Sequence, residues 1–228
     1  MGKRLFNFLG PIVRFFIPKL NVTWQVPHDG EPSVFVCNHD RSFGPLEMVL
    51  NFPMDAPYRA WIYAAPLQRE TTPAYIRQDN WWKKDSFFAP LYSAVIPPVV
   101  SWILPPILRS VPHIPVYHDA RAVTTMKESL NALRKEGAHM IIFPEIPTGF
   151  GEHDTEKINE GFLNILPMYK KLTGKDLKMW PVHMDKDLKI MSVRAPITMN
   201  PDLPLKEQIP DLSRKILSGI FDPDPVTK

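Results

Sequence analysis

Short apolar runs alternate along the chain with segments in which apolar residues recur at helical spacing. The runs predict buried strands at 32–37, 58–64, 114–117, 140–143, 177–184 and 188–193. The helical spacing predicts a helix starting near Pro45 and helices over about 121–136, 156–172 and 211–221, with Gly137 and Gly174 ending the second and third. Because strands alternate with helices, we expect an α/β domain with a mixed sheet flanked by helices.

The stretch 86–108, SFFAPLYSAVIPPVVSWILPPIL, interrupts this alternation with 23 uncharged residues. It is long enough to span a bilayer as a helix. Its two Pro-Pro pairs remove backbone donors, so we expect short helical pieces that lie in a membrane interface or cover an apolar groove, rather than one continuous helix. The preceding Trp81, Trp82, Lys83 and Lys84 are typical of interfacial anchors. A buried loop and helix of a soluble core is the alternative.

Residues 1–20 form a second candidate membrane contact. Basic residues stand there among aromatic and aliphatic ones, and no residue is acidic. Such a segment favours an anionic interface; a helix packed on the domain is the alternative. We therefore divide the chain into a basic amphipathic segment, 1–20, and an α/β domain, 21–228, with 86–108 as a proline-rich apolar insertion.

Composition narrows the functional classes. The chain has 26 prolines in 228 residues and is 44% hydrophobic, so it can bury a sizeable core yet carries much irregular apolar sequence. A net charge of +3 gives no argument for nucleic acid as a partner. Cys37 is the single cysteine, which excludes an internal disulfide. The histidines show no metal-binding spacing and Ser42 lacks a Gly-x-Ser-x-Gly elbow, so we expect neither a metal nor a serine nucleophile.

Three apolar runs end in polar residues that carry chemistry. Cys37-Asn38 leads to His39, Val116-Tyr117 leads to His118, and Phe143-Pro144 leads to Glu145. Functional sites of α/β sheets gather outside the carboxyl ends of the strands. We therefore expect His39, His118 and Glu145 to converge.

These strand ends lie in four blocks that resemble the phospholipid/glycerol acyltransferases, of the 1-acyl-glycerol-3-phosphate acyltransferase type. VFVCNHDRSFGP at 34–45 is similar to the family's Asn-His block, which has a carboxylate five residues after the histidine. SVPHIPVYHDAR at 110–121 resembles the second block, a strand ending in a basic residue, and IIFPE at 141–145 resembles the start of the third, Phe-Pro-Glu-Gly-Thr-Arg. WPVHM at 180–184 is similar to the fourth, a Val-Pro strand. Order and spacing agree over about 32–197.

The resemblance implies a single glycerol-phosphate acyltransferase-like domain that moves a fatty acyl group from an acyl thioester to a lipid hydroxyl. His39 would be the general base, oriented by a carboxylate. Acyl-CoA or acyl carrier protein would be the donor, as a co-substrate, with no resident cofactor. Membrane lipid would be the partner, and the protein would lie at the cytoplasmic face of the membrane as a peripheral or monotopic protein of glycerolipid and phospholipid biosynthesis.

The chain departs from the family pattern at the catalytic positions. Five residues after His39 stands Gly44, and the Gly-Thr-Arg of the third block is replaced by Ile146-Pro147-Thr148. Glu145, Glu47 and Asp40 are the alternatives for the missing carboxylate. A further alternative is that His39 has a backbone or water partner, or no catalytic task. The candidate substrate-binding residues are Asn38, Arg41, Ser42, His118, Arg121, Phe143 and Pro144, of which Arg41, His118 and Arg121 are the candidates for holding a phosphate. A catalytically silent relative that binds lipid or a partner at the membrane is the alternative function.

Overall fold

The computed structural model describes residues 17, 19–39, 44–78, 82, 85–149 and 152–222. Nine strands lie in that part of the chain: β1 Asn21–Trp24, β2 Val34–Cys37, β3 Tyr58–Tyr63, β4 His113–Val116, β5 His139–Ile142, β6 Glu145–Gly149, β7 Glu152–Ile158, β8 Met179–Asp185 and β9 Ile190–Val193. The α-helices are α1 Gly44–Leu50, α2 Thr72–Gln78, α3 Ala89–Ser110, α4 Ala122–Asn131, α5 Ile165–Thr173 and α6 Leu205–Phe221. A π-helical turn, Ala132–Glu136, continues α4, and short 3₁₀ helices cover Ala65–Leu67 and Glu160–Asn164.

Seven strands form one mixed sheet in the order β1-β9-β8-β2-β5-β3-β4, and the mixed α/β architecture confirms the expected fold class. Strands β8, β2, β5, β3 and β4 run parallel, whereas β9 is antiparallel to β8. We call the edge formed by the carboxyl ends of these five parallel strands the carboxyl edge. Strands β6 and β7 form a separate antiparallel hairpin.

Strand β2 lies at the centre of the sheet because both of its faces are apolar. Val34 and Val36 pack in the core that α4, α5 and α6 cover, whereas Phe35 and Cys37 pack in the core on the α1 side. All four residues are fully buried. A strand covered on both faces reads as a continuous apolar run, which explains why the sequence reveals it so clearly.

The connections that leave β2 and β5 cross the sheet in opposite directions. The chain passes from β2 through α1 to β3 on one side, and from β5 through α5 to β8 on the other. Right-handed crossovers in opposite directions place their helices on opposite faces of the sheet. The two strand ends therefore flank a switch point, the usual location of a site in an open α/β sheet.

The helix predicted over 156–172 is wrong in its first half. Glu152–Ile158 forms β7, which pairs with β6, and the chain then turns through a 3₁₀ helix whose cap, Asn159, accepts a hydrogen bond from Gly161 N. The apolar residues that suggested the helix are nonetheless buried in one core: Ile158, Phe162, Ile165, Leu166 and Tyr169. Helical spacing predicted their burial correctly but not the backbone that carries them.

The expected break of 86–108 into short helical pieces is also wrong, because α3 is one 22-residue helix with Pro97, Pro98, Pro105 and Pro106 inside it. Each proline removes the donor to the carbonyl four residues earlier. For Pro97 that carbonyl belongs to Ser93, and Arg77 Nη2 donates to it at 3.4 Å.

The N-terminal segment 1–20 lies outside the described residues except for Ile17, Lys19 and Leu20. Ile17 and Leu20 are buried, and Leu20 N donates to Asn51 Oδ1 at 3.1 Å. Of the expected anchors before α3, only Trp82 is described. The interfacial role of both segments stays a prediction.

Candidate active site

His39 and Glu145 meet at the carboxyl edge. Asn38 separates His39 from the end of β2. Glu145 is the first residue of β6, and two residues, Phe143 and Pro144, separate it from the end of the neighbouring strand β5. Glu145 Oε2 makes a hydrogen bond with His39 Nδ1 and accepts a second one from His39 N at 2.5 Å. One carboxylate oxygen therefore holds both the ring and the backbone of the histidine.

This contact determines the tautomer of His39. Because a carboxylate only accepts hydrogen bonds, the proton of a neutral His39 ring lies on Nδ1 and the lone pair on Nε2. A histidine with this tautomer, held by an acidic partner, is the arrangement that general-base catalysis uses.

The two side chains differ in exposure. The His39 side chain is 25% exposed, whereas that of Glu145 is 1% exposed. The other oxygen, Glu145 Oε1, is also buried and has no hydrogen-bond partner among the residues that the structure describes. The imidazole thus faces solvent, and the carboxylate contacts it from inside the protein.

Local sequence explains how Glu145 reaches this position. Pro144 is buried, and its carbonyl accepts a hydrogen bond from Asn159 N at 2.7 Å, at the far end of the β6–β7 hairpin. Phe143 packs its ring 4.5 Å from the His39 ring. Glu145 thus lies between the end of β5 and the start of the hairpin, and the hydrogen bond at Pro144 holds it beside β2.

Asn38 has a structural contact that the sequence did not indicate. Its Nδ2 donates to Met184 O at 2.9 Å, and its Oδ1 accepts from Met184 N at 2.7 Å. The side chain thus extends the pairing between β2 and β8 by one more rung and fixes the residue next to His39. The sequence predicts a substrate contact for Asn38, and the hydrogen bonds described here join its side chain to the sheet.

Of the other carboxylate alternatives, Glu47 is a buried residue of α1 with an ion pair to Lys186 Nζ at 3.4 Å. Lys186 follows β8, so this pair also lies at the carboxyl edge. Asp40 lies outside the described residues, as do Arg41 and Ser42. The carboxylate that the structure brings onto His39 Nδ1 is Glu145.

His118 lies at the same edge but away from the pair. Strand β4 is two positions from β5, a separation of about 10 Å between strands. The His118 ring packs against the Tyr63 ring, with 5.1 Å between the ring centroids. The expected convergence therefore holds for His39 and Glu145, while His118 stands apart.

Arg121 is engaged by its neighbour Asp119 through several hydrogen bonds and also lies over the Tyr117 ring. The Arg121 side chain holds the pKa of Asp119 at about 2, and Asp119 in turn raises the pKa of Arg121. Both side chains are exposed, so a phosphate would have to compete with this carboxylate for the guanidinium.

Cys37 is the last residue of β2, two residues before His39, and it is buried. Burial, with a further contribution from the negative charge of Glu145, raises the pKa of its thiol well above the ordinary value. Since the thiolate is the nucleophilic form, Cys37 is a core residue rather than a nucleophile.

A second polar cluster, His28, Ser33 and His139, is buried at the opposite edge of the sheet. Gly30 N donates to His28 Nδ1 at 2.9 Å, so a neutral His28 carries its proton on Nε2 and donates it to Ser33 Oγ, 2.8 Å away. Ser33 Oγ also lies 3.2 Å from His139 Nδ1. A histidine that donates to the serine cannot take its proton, so this cluster is a structural network and not a hydrolase triad.

No group of three or more His, Cys, Asp or Glu side chains suited to a metal ion occurs among the described residues. Comparisons of the chain with protein-family models, with curated proteins and with solved structures found no match.

Proposed function

We propose that this protein is an acyltransferase that moves a fatty acyl group from an acyl thioester to the hydroxyl of a lipid-like acceptor. The observation that carries the proposal is the His39–Glu145 pair, a partly exposed imidazole held through Nδ1 by a buried carboxylate. The four sequence blocks that resemble the phospholipid/glycerol acyltransferases supply the reaction class.

In the proposed reaction His39 Nε2 takes the proton of the acceptor hydroxyl as its oxygen attacks the thioester carbonyl. The C–S bond then breaks, and the sulfur leaves with the proton returned by the imidazolium, which yields the ester and a free thiol. Glu145 stabilises the imidazolium while it exists, because its negative charge lies directly against Nδ1.

Two features favour an acceptor other than glycerol-3-phosphate. The positions at which the family carries Gly-Thr-Arg lie in strand β6, where Ile146-Pro147-Thr148 stand. Among the described candidates for holding a phosphate, Arg121 is bound to Asp119 and His118 stands apart from the pair. A neutral hydroxyl acceptor, such as a monoacylglycerol or a zwitterionic lysolipid, fits this arrangement better than a dianionic phosphate.

The same features support a second candidate, a catalytically silent relative that binds lipid at the membrane. In that case His39 and Glu145 would be a retained pair without turnover. This candidate differs from the first in one measurable respect, because lipid binding would then be independent of His39.

The test is transfer from a radiolabelled acyl-CoA to a panel of acceptors: monoacylglycerol, lysophosphatidylcholine and lysophosphatidic acid. Acyl transfer by the wild-type protein that disappears in His39→Ala supports the first candidate. Lipid binding without transfer, and unchanged in His39→Ala, supports the silent relative. The assay is repeated with acyl carrier protein as donor, since the choice between thioesters stays open.

A further inference from the structure

Helix α3 presents an apolar stripe to solvent along most of its length. Six side chains recur at helical spacing and are each at least 37% exposed: Leu91, Tyr92, Val95, Val99, Trp102 and Ile103. They lie on one face, because their spacing of one, three, four, three and one residues follows the period of the α-helix. We call these six residues the apolar stripe. An unbroken apolar surface of this kind on a helix marks an interaction site.

The opposite face of α3 attaches the helix to the domain. Its buried residues are Pro97, Ser101 and Pro105, four residues apart. The helix packs against α2 and the 3₁₀ helix Ala65–Leu67. The apolar stripe is thus held outward by a packed inner face.

We infer that the apolar stripe docks on an anionic lipid bilayer, with α3 lying in the plane of the interface. The stripe itself carries no charge, and within Ser86–Ser110 the single charged residue is Arg109. Two further cations contact the helix: the Arg69 guanidinium lies over the Trp102 ring, and Arg77 donates to Ser93 O. Apolar side chains flanked by arginines, with a tryptophan and a tyrosine among them, match the acyl boundary and the anionic headgroups of a bilayer.

Charge and packing exclude the other occupants of this surface. A second copy of the chain would bring Arg109 of both helices together across a two-fold interface, with no carboxylate within Ala89–Ser110 to meet it. A membrane-spanning helix satisfies the length and composition that α3 has, but lipid surrounds such a helix. Here the inner face is already packed on polar-containing elements of the domain, and Arg77 lies against it.

The apolar stripe lies beside the carboxyl edge at Trp102. Trp102 contacts Arg69, which follows the 3₁₀ helix at the carboxyl end of β3, and the first three turns of α3 precede Trp102. The inference does not depend on the proposed chemistry, because binding is measured without turnover.

The test is flotation of the full chain with vesicles of phosphatidylcholine and phosphatidylglycerol, and with vesicles of phosphatidylcholine alone. The stripe variant is Leu91→Ser/Val99→Ser/Ile103→Ser. Its matched control is Val123→Ser/Leu172→Ser/Leu188→Ser, which removes equally exposed apolar side chains elsewhere on the surface. We expect the stripe variant to bind mixed vesicles at least ~10-fold more weakly than wild type, and the control to bind within about twofold of it. Thermal unfolding checks that both variants fold.

Two further measurements make the result specific. Arg69→Gln is expected to weaken binding to the mixed vesicles several-fold and to leave binding to neutral vesicles nearly unchanged. Brominated lipids are expected to quench a fluorescence component that Trp102→Phe removes. Undiminished binding by the stripe variant, equal loss in the control, absence of vesicle binding by wild type, or self-association that only the stripe variant loses would each overturn the inference.

Discussion

The contact between His39 and Glu145 allows two substitutions of Glu145 to be ranked. A single oxygen, Oε2, makes both contacts with His39, and Oε1 makes none with the described residues. In Glu145→Gln the carbonyl oxygen therefore fits the position of Oε2 and accepts both hydrogen bonds, while the amide nitrogen takes the place of Oε1. The tautomer of His39 is preserved and only the charge is lost.

The magnitudes follow from that geometry. A hydrogen bond to a charged partner contributes about 1–2 kcal/mol more than a neutral one, so Glu145→Gln should reduce kcat roughly 5–30-fold. Glu145→Ala removes orientation as well as charge, and an imidazole base that has lost its correct tautomer loses about 10⁴-fold in turnover in a serine-protease triad. We therefore expect Glu145→Ala to be at least ~100-fold slower than Glu145→Gln.

Two assays read this out. Release of free thiol from acyl-CoA in the presence of the best acceptor gives kcat, and the ¹⁵N shifts of the His39 ring give the tautomer without any substrate. Nδ1 should stay protonated in Glu145→Gln and lose this preference in Glu145→Ala. Glu136→Gln, an exposed carboxylate paired with Arg59, is the control and should match wild type.

A larger loss of activity in Glu47→Gln than in Glu145→Ala would refute this assignment of the carboxylate, as would an unchanged tautomer in Glu145→Ala. Because Glu145 is buried, its substitution could also unfold the protein. The activities of Glu47→Gln and Glu145→Ala are therefore compared only if both unfold at the wild-type midpoint.

Three further predictions concern the fold around the site. Burial lowers the pKa of His139 to about 4, so between about pH 6.5 and pH 4 the unfolded chain binds this proton and the folded protein does not. The free energy of unfolding should therefore fall by up to about 3 kcal/mol as the pH is lowered through that window. His139→Gln should flatten this pH dependence, which urea unfolding measures. Gly219→Ala should lower the free energy of unfolding, measured in urea, by roughly 1–3 kcal/mol, because the new Cβ would lie 2.5 Å from Pro181 Cβ in the neighbouring strand. This loss is expected although alanine has the better helix propensity, and a more stable variant would contradict the packing. Asn38→Ala leaves Met184 N and O without their partner, so we expect the free energy of unfolding to fall by roughly 2 kcal/mol and the Met184 amide to exchange faster. Exchange as slow as in wild type would show that the sheet does not need the hydrogen bonds from the Asn38 side chain.

The amino-acid sequence predicted those helices and strands that bury either one face or both faces along their whole length. Strands β2 and β5 are covered on both faces and read as apolar runs, and Gly137 ends the helical segment before β5 in the left-handed conformation, with φ 63°. These features depend on local spacing and on backbone conformation, which a sequence displays directly. The sequence likewise singled out His39 and Glu145, since polar residues at the ends of apolar strands gather at one edge.

Tertiary structure decided which partners meet. The sequence left Glu145, Glu47 and Asp40 open as carboxylates, and the choice of Glu145 depends on the adjacency of β2 and β5, strands that are more than 100 residues apart in the chain. The strand at Glu152–Ile158 has no apolar pattern of its own and exists because β6 lies beside it. In the same way α3 remains one helix across its prolines while the domain holds its inner face and Arg77 takes up a freed carbonyl. Pairings between distant segments are a property of the packed chain, and no local pattern encodes them.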